Sequence, residues 1–394
     1  MKKIISIISI VILFTVCMSP ISAYAADVIE QKGLIENHKS ACIASNFKED
    51  YITTVISSDM RKEVISFPDN YAGSYIDSNN QLHILYVSDT KNLTNGLTEK
   101  KASYDKVNYS YNYLSKIVDL LTLKILDFSI STVGVNEIKN NVTVSVASEK
   151  RDAIISYLKS TLTDFEDDMI EFENDTIIVN SDYGGANIQN GNSEFTLGYN
   201  VKNLRTNKYG FVTCAHAVSL GGTVYNNNGT LLGTVANWQY SGTLDAAYIP
   251  YNSQSNATYQ AKTGGPITST YSANAITVGL SVRKYGRASG LKTGTVTYTS
   301  TTTRNTVTNT VFTDQIQLSI VQDRGDSGGL VVHFYNLPPG QTVPGVDTNT
   351  ASILLGIATF RASDGSSKAW ASKAATINST FGLTTYTIGL NTNL

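Results

Sequence analysis

Cysteine is nearly absent from this chain: three in 394 residues, at Cys17, Cys42 and Cys214. The C-terminal half holds only Cys214, so no disulfide can staple that half and its stability must come from packing. Histidine is as sparse, with four residues, none in an HExxH pattern or a Cys/His cluster. No D-x-D-x-D-G calcium loop occurs either, so neither a metal nor another cofactor is expected. Charged residues are only 16% against 41% hydrophobic, which excludes a disordered chain. The apolar run Ile4–Val16 is too short to span a bilayer. Basic residues are scattered rather than gathered in one stripe, which argues against nucleic acid as a partner.

That short run has the layout of a secretion signal. Lys2 and Lys3 precede it, and Ala23-Tyr24-Ala25 offers a small-x-small cleavage site. Residues 1–25 are therefore read as a signal peptide, Cys17 leaving with it, and the remainder as exported with no membrane attachment. Charge then divides the chain. Residues 26–183 carry 25 acidic and 15 basic side chains, net −10, whereas 184–394 carry 7 and 13, net +6. Opposite charge on two segments favours their docking on one another.

Residues 26–183 read as an α+β module. Apolar positions 107, 111, 114, 118 and 121 make a helical stripe across Val107–Leu126. Val142, Val144 and Val146 alternate with polar neighbours, as in a half-buried strand. Ile154, Leu158 and Leu162 mark a second helix, and Asp168–Asn180 suggests two short strands. From Gly184 the texture changes to short strands punctuated by turn signals such as Asn226-Asn-Asn-Gly229 and Ala288-Ser-Gly290. Regular spacing of this kind predicts an all-β sandwich or barrel.

Chemistry concentrates in Arg324-Gly325-Asp326-Ser327-Gly328-Gly329. A serine on a glycine-rich turn can be closely approached, and the N–H groups of Gly325 and Ser327 can converge beside its hydroxyl as an oxyanion hole. Serine is a weak nucleophile without a base. Gly210–Ala217 is an apolar strand ending on His216, and Leu244–Ile249 places Asp245 at the start of another. Asp314 and Asp323 also lie between His216 and Ser327, but Asp314 reads as part of a Thr/Asn-rich turn and Asp323 is too close to Ser327 along the chain to orient the histidine, whereas Asp245 precedes an apolar strand that would bury it. His216 as base, Asp245 as its orienting carboxylate and Ser327 as nucleophile give the order His, Asp, Ser.

These motifs, in that order, resemble the chymotrypsin-like serine proteases, in particular the secreted bacterial branch of streptogrisin and α-lytic protease type. The resemblance spans residues 184–394 and includes Gly286-Arg287-Ala-Ser-Gly290 and Thr293-Gly294-Thr295-Val296. It implies an all-β catalytic domain of two six-stranded Greek-key barrels, at about 186–255 and 270–372, with a terminal helix at about 374–383. It implies a serine endopeptidase acting on protein or peptide substrates as a monomer. It also makes 26–183 a pro-region that serves as intramolecular chaperone and inhibitor and is removed by self-cleavage between about Val179 and Gly185. Relatives often pair a cysteine after the histidine with one on an early strand; Ala217 and Phe195 occupy those places here.

The same resemblance assigns a structural ion pair between Arg287 and Asp326. It also places Val321, Thr359, Phe360 and Arg361 around the specificity pocket, with Phe360 and Arg361 altering its mouth. Small or apolar residues are then expected before the cleaved bond, glutamate second and Lys or Arg third. Asp323 stands too near Ser327 to form the pocket base. Three other readings compete: a catalytically silent protease-fold binding protein at the cell exterior, a surface adhesion protein and a non-proteolytic acyl hydrolase. An intact His, Asp, Ser and Gly set disfavours the first.

Overall fold

The computed structural model describes residues 32–49, 51–56, 61–65, 67–88, 102–173, 177–179, 186–190, 193–226, 228–254, 257–337, 340–344, 349–362 and 366–392. The expected signal peptide and residues 180–185 of the expected cleavage window lie outside them. No helix among the described residues is long and apolar enough to cross a membrane.

The first element is helix α1, residues 32–49, which the sequence reading did not pick out. Asn37, Ala41, Ala44, Phe47 and Lys48 are buried along it, a stripe at helical spacing that mixes polar with apolar residues. Three more strands, β1 (Tyr71–Ile76), β2 (Leu82–Tyr86) and β3 (Ala102–Lys106), form one small sheet. Helix α2 (Tyr111–Leu123) starts where the Ser110 hydroxyl accepts the Tyr113 N–H, a serine N-cap. Leu114, Ile117 and Leu121 are its fully buried positions, each contributing about 1.5–3 kcal/mol by leaving water. They pack on Val133, Val142 and Val144 of β4 (Thr132–Asn136) and β5 (Asn141–Ser145), and on Ile154 and Leu158 of α3 (Arg151–Thr161). Strands β6 (Ile170–Glu173) and β7 (Ile177–Val179) close this part of the chain.

Two groups of strands build the C-terminal half. In the first, β8 (Ala186–Asn190), β9 (Ser193–Leu197), β12 (Thr223–Asn226) and β13 (Leu231–Thr234) make one sheet. The facing sheet holds β10 (Tyr199–Asn203), β11 (Tyr209–Thr213), β14 (Asn237–Ser241) and β15 (Leu244–Pro250). Between them lie Ile188, Phe195, Phe211, Val224 and Ile249. Phe195 thus fills core volume where relatives often carry a cysteine, and Cys42 and Cys214 are both free.

The second group closes on itself. Strands β16 (Ser281–Gly286), β17 (Gly290–Arg304), β18 (Val311–Leu318), β19 (Leu330–Asn336), β20 (Thr350–Ala362) and β21 (Ala369–Lys373) run in the order β16-β19-β20-β21-β18-β17, and β17 pairs back with β16. That is a closed six-stranded barrel, from which the ends of β17 and β20 run on and present edges of their own. Helix α4 (Ala374–Phe381) ends on Gly382 in the left-handed conformation at φ 66°, a glycine C-cap. Strand β22 (Leu383–Thr385) then returns the chain to β10. Tyr199, Val212 and Tyr248 from the first group share one core with Leu330, Leu354, Ile357 and Ile377. The two barrels are thereby welded along a seam.

The N-terminal part is bonded to the second barrel rather than tethered beside it. Strand β4 pairs antiparallel with β17, Gly134 opposite Thr301 and Thr132 opposite Thr303. Strand β7 pairs antiparallel with β20, Val179 opposite Phe360 and Ile177 opposite Ala362. Ala41, Ala44 and Phe47 of α1 join Tyr71 and the barrel residues Ile316, Leu318 and Val331 in one cluster.

Candidate active site

Ser327 sits on a turn between β18 and β19, and its own backbone bonds build that turn. The N–H groups of Asp326 and Gly329 donate to the carbonyls of Asp323 and Asp326, and Gly328 donates to Ala358 on β20. The bonds that close the turn do not use the Gly325 N–H. Gly325 and Gly328 have φ of 109° and 82°, values that L side chains rarely adopt. At Gly328 a Cβ would also fall 2.5 Å from the Thr196 carbonyl oxygen and from Thr213 Oγ1. The Ser327 carbonyl accepts the Thr196 N–H at 3.1 Å, which ties the turn to the first barrel.

His216 reaches the same place from the first barrel. Strand β11 ends at Thr213, and Ala215–Ala217 form a single 3₁₀ turn. The Trp238 indole N–H, 2.8 Å from the Ala215 carbonyl and 2.9 Å from that of Val218, holds the turn from β14. Asp245, fully buried at the start of β15, accepts the N–H of Ala215 at 2.8 Å and of His216 at 3.0 Å through Oδ1. Its Oδ2 lies 2.6 Å from His216 Nδ1, and His216 Nε2 lies 2.8 Å from Ser327 Oγ. With Nδ1–H donated to the carboxylate, Nε2 presents its lone pair to the hydroxyl. Burial disfavours a charged imidazole, but the Asp245 carboxylate and the neighbouring Cys214 together outweigh it and hold the His216 pKa well above the ordinary value.

Asp326 corrects the sequence reading. The expected Arg287–Asp326 pair does not form. Lys284 carries the partner charge, its ammonium in contact with Asp326 Oδ2 and both side chains fully buried. The Ala288 and Ser289 N–H groups donate to Oδ1 at 3.1 and 3.0 Å, and the Ser289 hydroxyl and Asp323 N–H reach Oδ2 at 2.5 and 3.0 Å. Lys284 and these hydrogen bonds overcome burial and keep the Asp326 pKa below the usual carboxylate value. Strand parity explains the exchange. In β16 the buried positions are Val282, Lys284 and Gly286, so Lys284 points inward. Arg287 falls beyond the strand, in a turn that offers Asp326 its amides, and its guanidinium pairs with Glu194 nearer the surface. Gly286 is required there, since a Cβ would lie 2.3 Å from Asp326 Oδ1.

The tentative pocket residues scatter. Val321 is 42% exposed, while Thr359 is buried and bonds the Trp370 carbonyl through its hydroxyl. Phe360 does not shape a pocket mouth: it is buried against Phe312, 4.7 Å between ring centroids, with Trp370 and Ala362. Alternation along β20 turns it to that face and leaves Arg361 half-buried on the other. Asp323 is exposed, whereas Gln322 is buried with neither amide atom partnered. His333, in the barrel interior, bonds Ser281 and takes no part in the cleft. Lys284 and Trp238 were missed in the sequence. Val282-Arg-Lys-Tyr-Gly286 does not alternate apolar with polar, so the sequence carried no signal for either.

Neither a family model nor a curated protein matches this chain. Among solved structures, Protease A of Thermobifida fusca is 19% identical over 52% of this chain and 98% of its own, with a TM-score of 0.39. The Nocardiopsis protease matches at 18% identity over 52% and 98%, with a TM-score of 0.38. A glutamic acid-specific serine protease, described as using a histidine triad in substrate binding, matches at 20% over 52% and 100%, with a TM-score of 0.40. A closed six-stranded barrel shares one core with the strands before it, the His, Asp, Ser order lies across their seam, and the chain is similar to the bacterial chymotrypsin-like serine proteases.

Proposed function

We propose that the protein is a secreted serine endopeptidase made as a proprotein, with residues 26–183 as its pro-region and 184–394 as its catalytic domain. One observation carries this reading: the unbroken run Asp245 Oδ2, His216 Nδ1, His216 Nε2, Ser327 Oγ at 2.6 and 2.8 Å. In the reaction, His216 Nε2 takes the hydroxyl proton as Ser327 Oγ bonds to the scissile carbonyl carbon. The Gly325 and Ser327 N–H groups meet the oxyanion of the tetrahedral intermediate. Its collapse breaks the C–N bond, and His216 returns the proton to the departing amine. Water repeats the sequence on the acyl-enzyme and frees Ser327.

Support for self-processing comes from β7. A strand lying antiparallel on β20, next to the segment that receives Gly328, occupies an edge where an extended peptide would add by backbone hydrogen bonds. Chain leaving that strand at Val179 enters the expected cleavage window. The test is a fluorophosphonate probe together with intact mass of the secreted protein, parent beside Ser327→Ala. The parent should take up one probe and lose residues up to about 179–185, and Ser327→Ala should do neither. Probe uptake by Ser327→Ala would sink the catalytic assignment. Maturation of Ser327→Ala to the parent mass without added protease would exclude self-cleavage.

A further inference from the structure

Helix α1 meets the second barrel through a chain of hydrogen bonds between uncharged groups. The His38 ring stacks on Tyr335 of β19 at 3.9 Å, with 10° between the planes. Its Nδ1 lies 2.9 Å from Nε2 of His333, which is fully buried in the same strand. His333 Nδ1 in turn lies 2.7 Å from the Ser281 carbonyl on β16, and Cys42 Sγ lies 3.5 Å from His38 Nε2.

The acceptor at one end settles every proton. A carbonyl accepts only, so His333 carries its hydrogen on Nδ1 and offers a lone pair at Nε2. His38 must then donate from Nδ1, which leaves its Nε2 to accept from the Cys42 thiol. Each imidazole holds one proton and is neutral. A second proton on His333 Nε2 would set two donors face to face across 2.9 Å. A second proton on His38 Nε2 would meet a sulfur that is a poor acceptor.

Among the described residues, no carboxylate is placed to welcome either charge. The titratable neighbours are Cys42 on α1, Tyr335 on β19 and Tyr271 on the segment before β16, whose ring stands edge-on 6.2 Å from His333. Glu49, further along α1, acts on Tyr271 and on neither imidazole. Arg283 of β16 is turned away, its guanidinium 3.4 Å from the Phe334 ring centroid and bonded to the Thr263 carbonyl.

We infer that the docking of helix α1 on the second barrel is acid-labile, with the His38–His333 contact as its pH-sensitive latch. The other contacts of α1 include the apolar cluster, Asn37 bonded to Gly279 and Ser281, Ser40 bonded to the Asn80 carbonyl, and Lys48 bonded to the Ile276 carbonyl and paired with Glu137. Burial lowers His38 from 6.5 to about 4 and His333 to about 3. A released helix would return His38 towards the ordinary value and remove the ring that opposes a second proton on His333 Nε2, so the docked state binds fewer protons throughout that interval. Docking is therefore complete above about pH 6.5 and weakens as pH falls, by at most about tenfold per ring per pH unit. Under the reading of 26–183 as a pro-region, acidification would loosen its first element without any bond being cut.

The test uses full-length Ser327→Ala, so that release is measured apart from proteolysis. Hydrogen exchange of the residue 34–48 amides is followed from pH 7.5 to 4.5, corrected for intrinsic rates, with β15 amides as the internal control. Protection of α1 should fall by tenfold or more between pH 6.5 and 5 while β15 stays constant. His38→Gln should reduce that slope, and His38→Gln with His333→Gln should abolish it. His38→Phe, which keeps the stack on Tyr335, serves if the buried His333 change prevents folding, and it too should reduce the slope. A flat profile in Ser327→Ala, or an undiminished slope in the His38 variants, would overturn the inference. Release without processing in the Ser327-intact chain at the same pH would leave it standing and count against self-cleavage alone.

Discussion

Replacing Lys284 by methionine keeps most of the side-chain volume and removes the cation that pairs with Asp326. Both groups are wholly buried, so the carboxylate left behind must either stay charged without a counter-ion or take up a proton. Breaking such a pair by deleting one member costs about 3–5 kcal/mol, a large share of the 5–15 kcal/mol that holds a typical domain. Four hydrogen bonds from Ala288, Ser289 and Asp323 remain on Asp326. The expected loss therefore sits at the lower end, about 3 kcal/mol. Because Asp326 immediately precedes Ser327, the same change should slow fluorophosphonate labelling. Lys284 and the hydrogen bonds keep the Asp326 pKa below 3.8, so the stability that group supplies is lost only as pH falls through that lowered value. Without Lys284 the pKa rises, so acid removes less of that stability, and once the folded pKa passes the unfolded value acidification relieves the stranded charge instead. Urea unfolding of Lys284→Met and Arg287→Met in the Ser327→Ala background reports the first effect, and probe kinetics with Ser327 intact the second. Arg287, in a partly exposed pair with Glu194, should cost no more than about 1 kcal/mol. Equal midpoints for Lys284→Met and its parent, with a large loss for Arg287→Met, would refute the assignment of Lys284.

Asp245→Asn should lower peptide hydrolysis by about 10⁴-fold through the wrong imidazole tautomer. It should also move the acid limb of kcat/KM to lower pH, because a base raised by its carboxylate loses activity early on acidification; an unmoved limb would show that Asp245 does not set the His216 pKa. A peptide library should show small or apolar residues favoured before the cleaved bond, and a dominant preference for Lys or Arg would overturn that ranking.

Much of the site could be read in one dimension because its chemistry depends on residue type in a fixed order. A serine flanked by glycines, a histidine closing an apolar strand and an aspartate opening another are local patterns. Each is imposed by the backbone its own neighbours adopt, with Gly325 and Gly328 at positive φ as the clearest case. Period-2 and period-3.6 spacing likewise marked β5, α2 and α3, whose buried positions include Val142, Val144, Leu114, Leu121, Ile154 and Leu158.

Pairing across distance was not readable in that way. Lys284 and Arg287 are both cations near one turn, and only the phase of β16 against β19 decides which is turned inward to Asp326. Phe360 and Arg361 are adjacent in sequence, and only the face that β20 presents decides which is core. Helix α1 escaped notice because Asn37, Ser40 and Lys48 interrupt its apolar stripe. Those polar groups are buried because carbonyls and amides of the barrel more than 200 residues away, and of Asn80, satisfy them. The sequence by itself therefore picked out Ser327, His216 and Asp245, which the structure brings within hydrogen-bond distance, and the strand-rich chain that carries them. Tertiary structure alone chose the counter-ion of Asp326, the wall occupied by Phe360 and the seat of α1, because burial of a polar group is favourable only where a distant partner completes it.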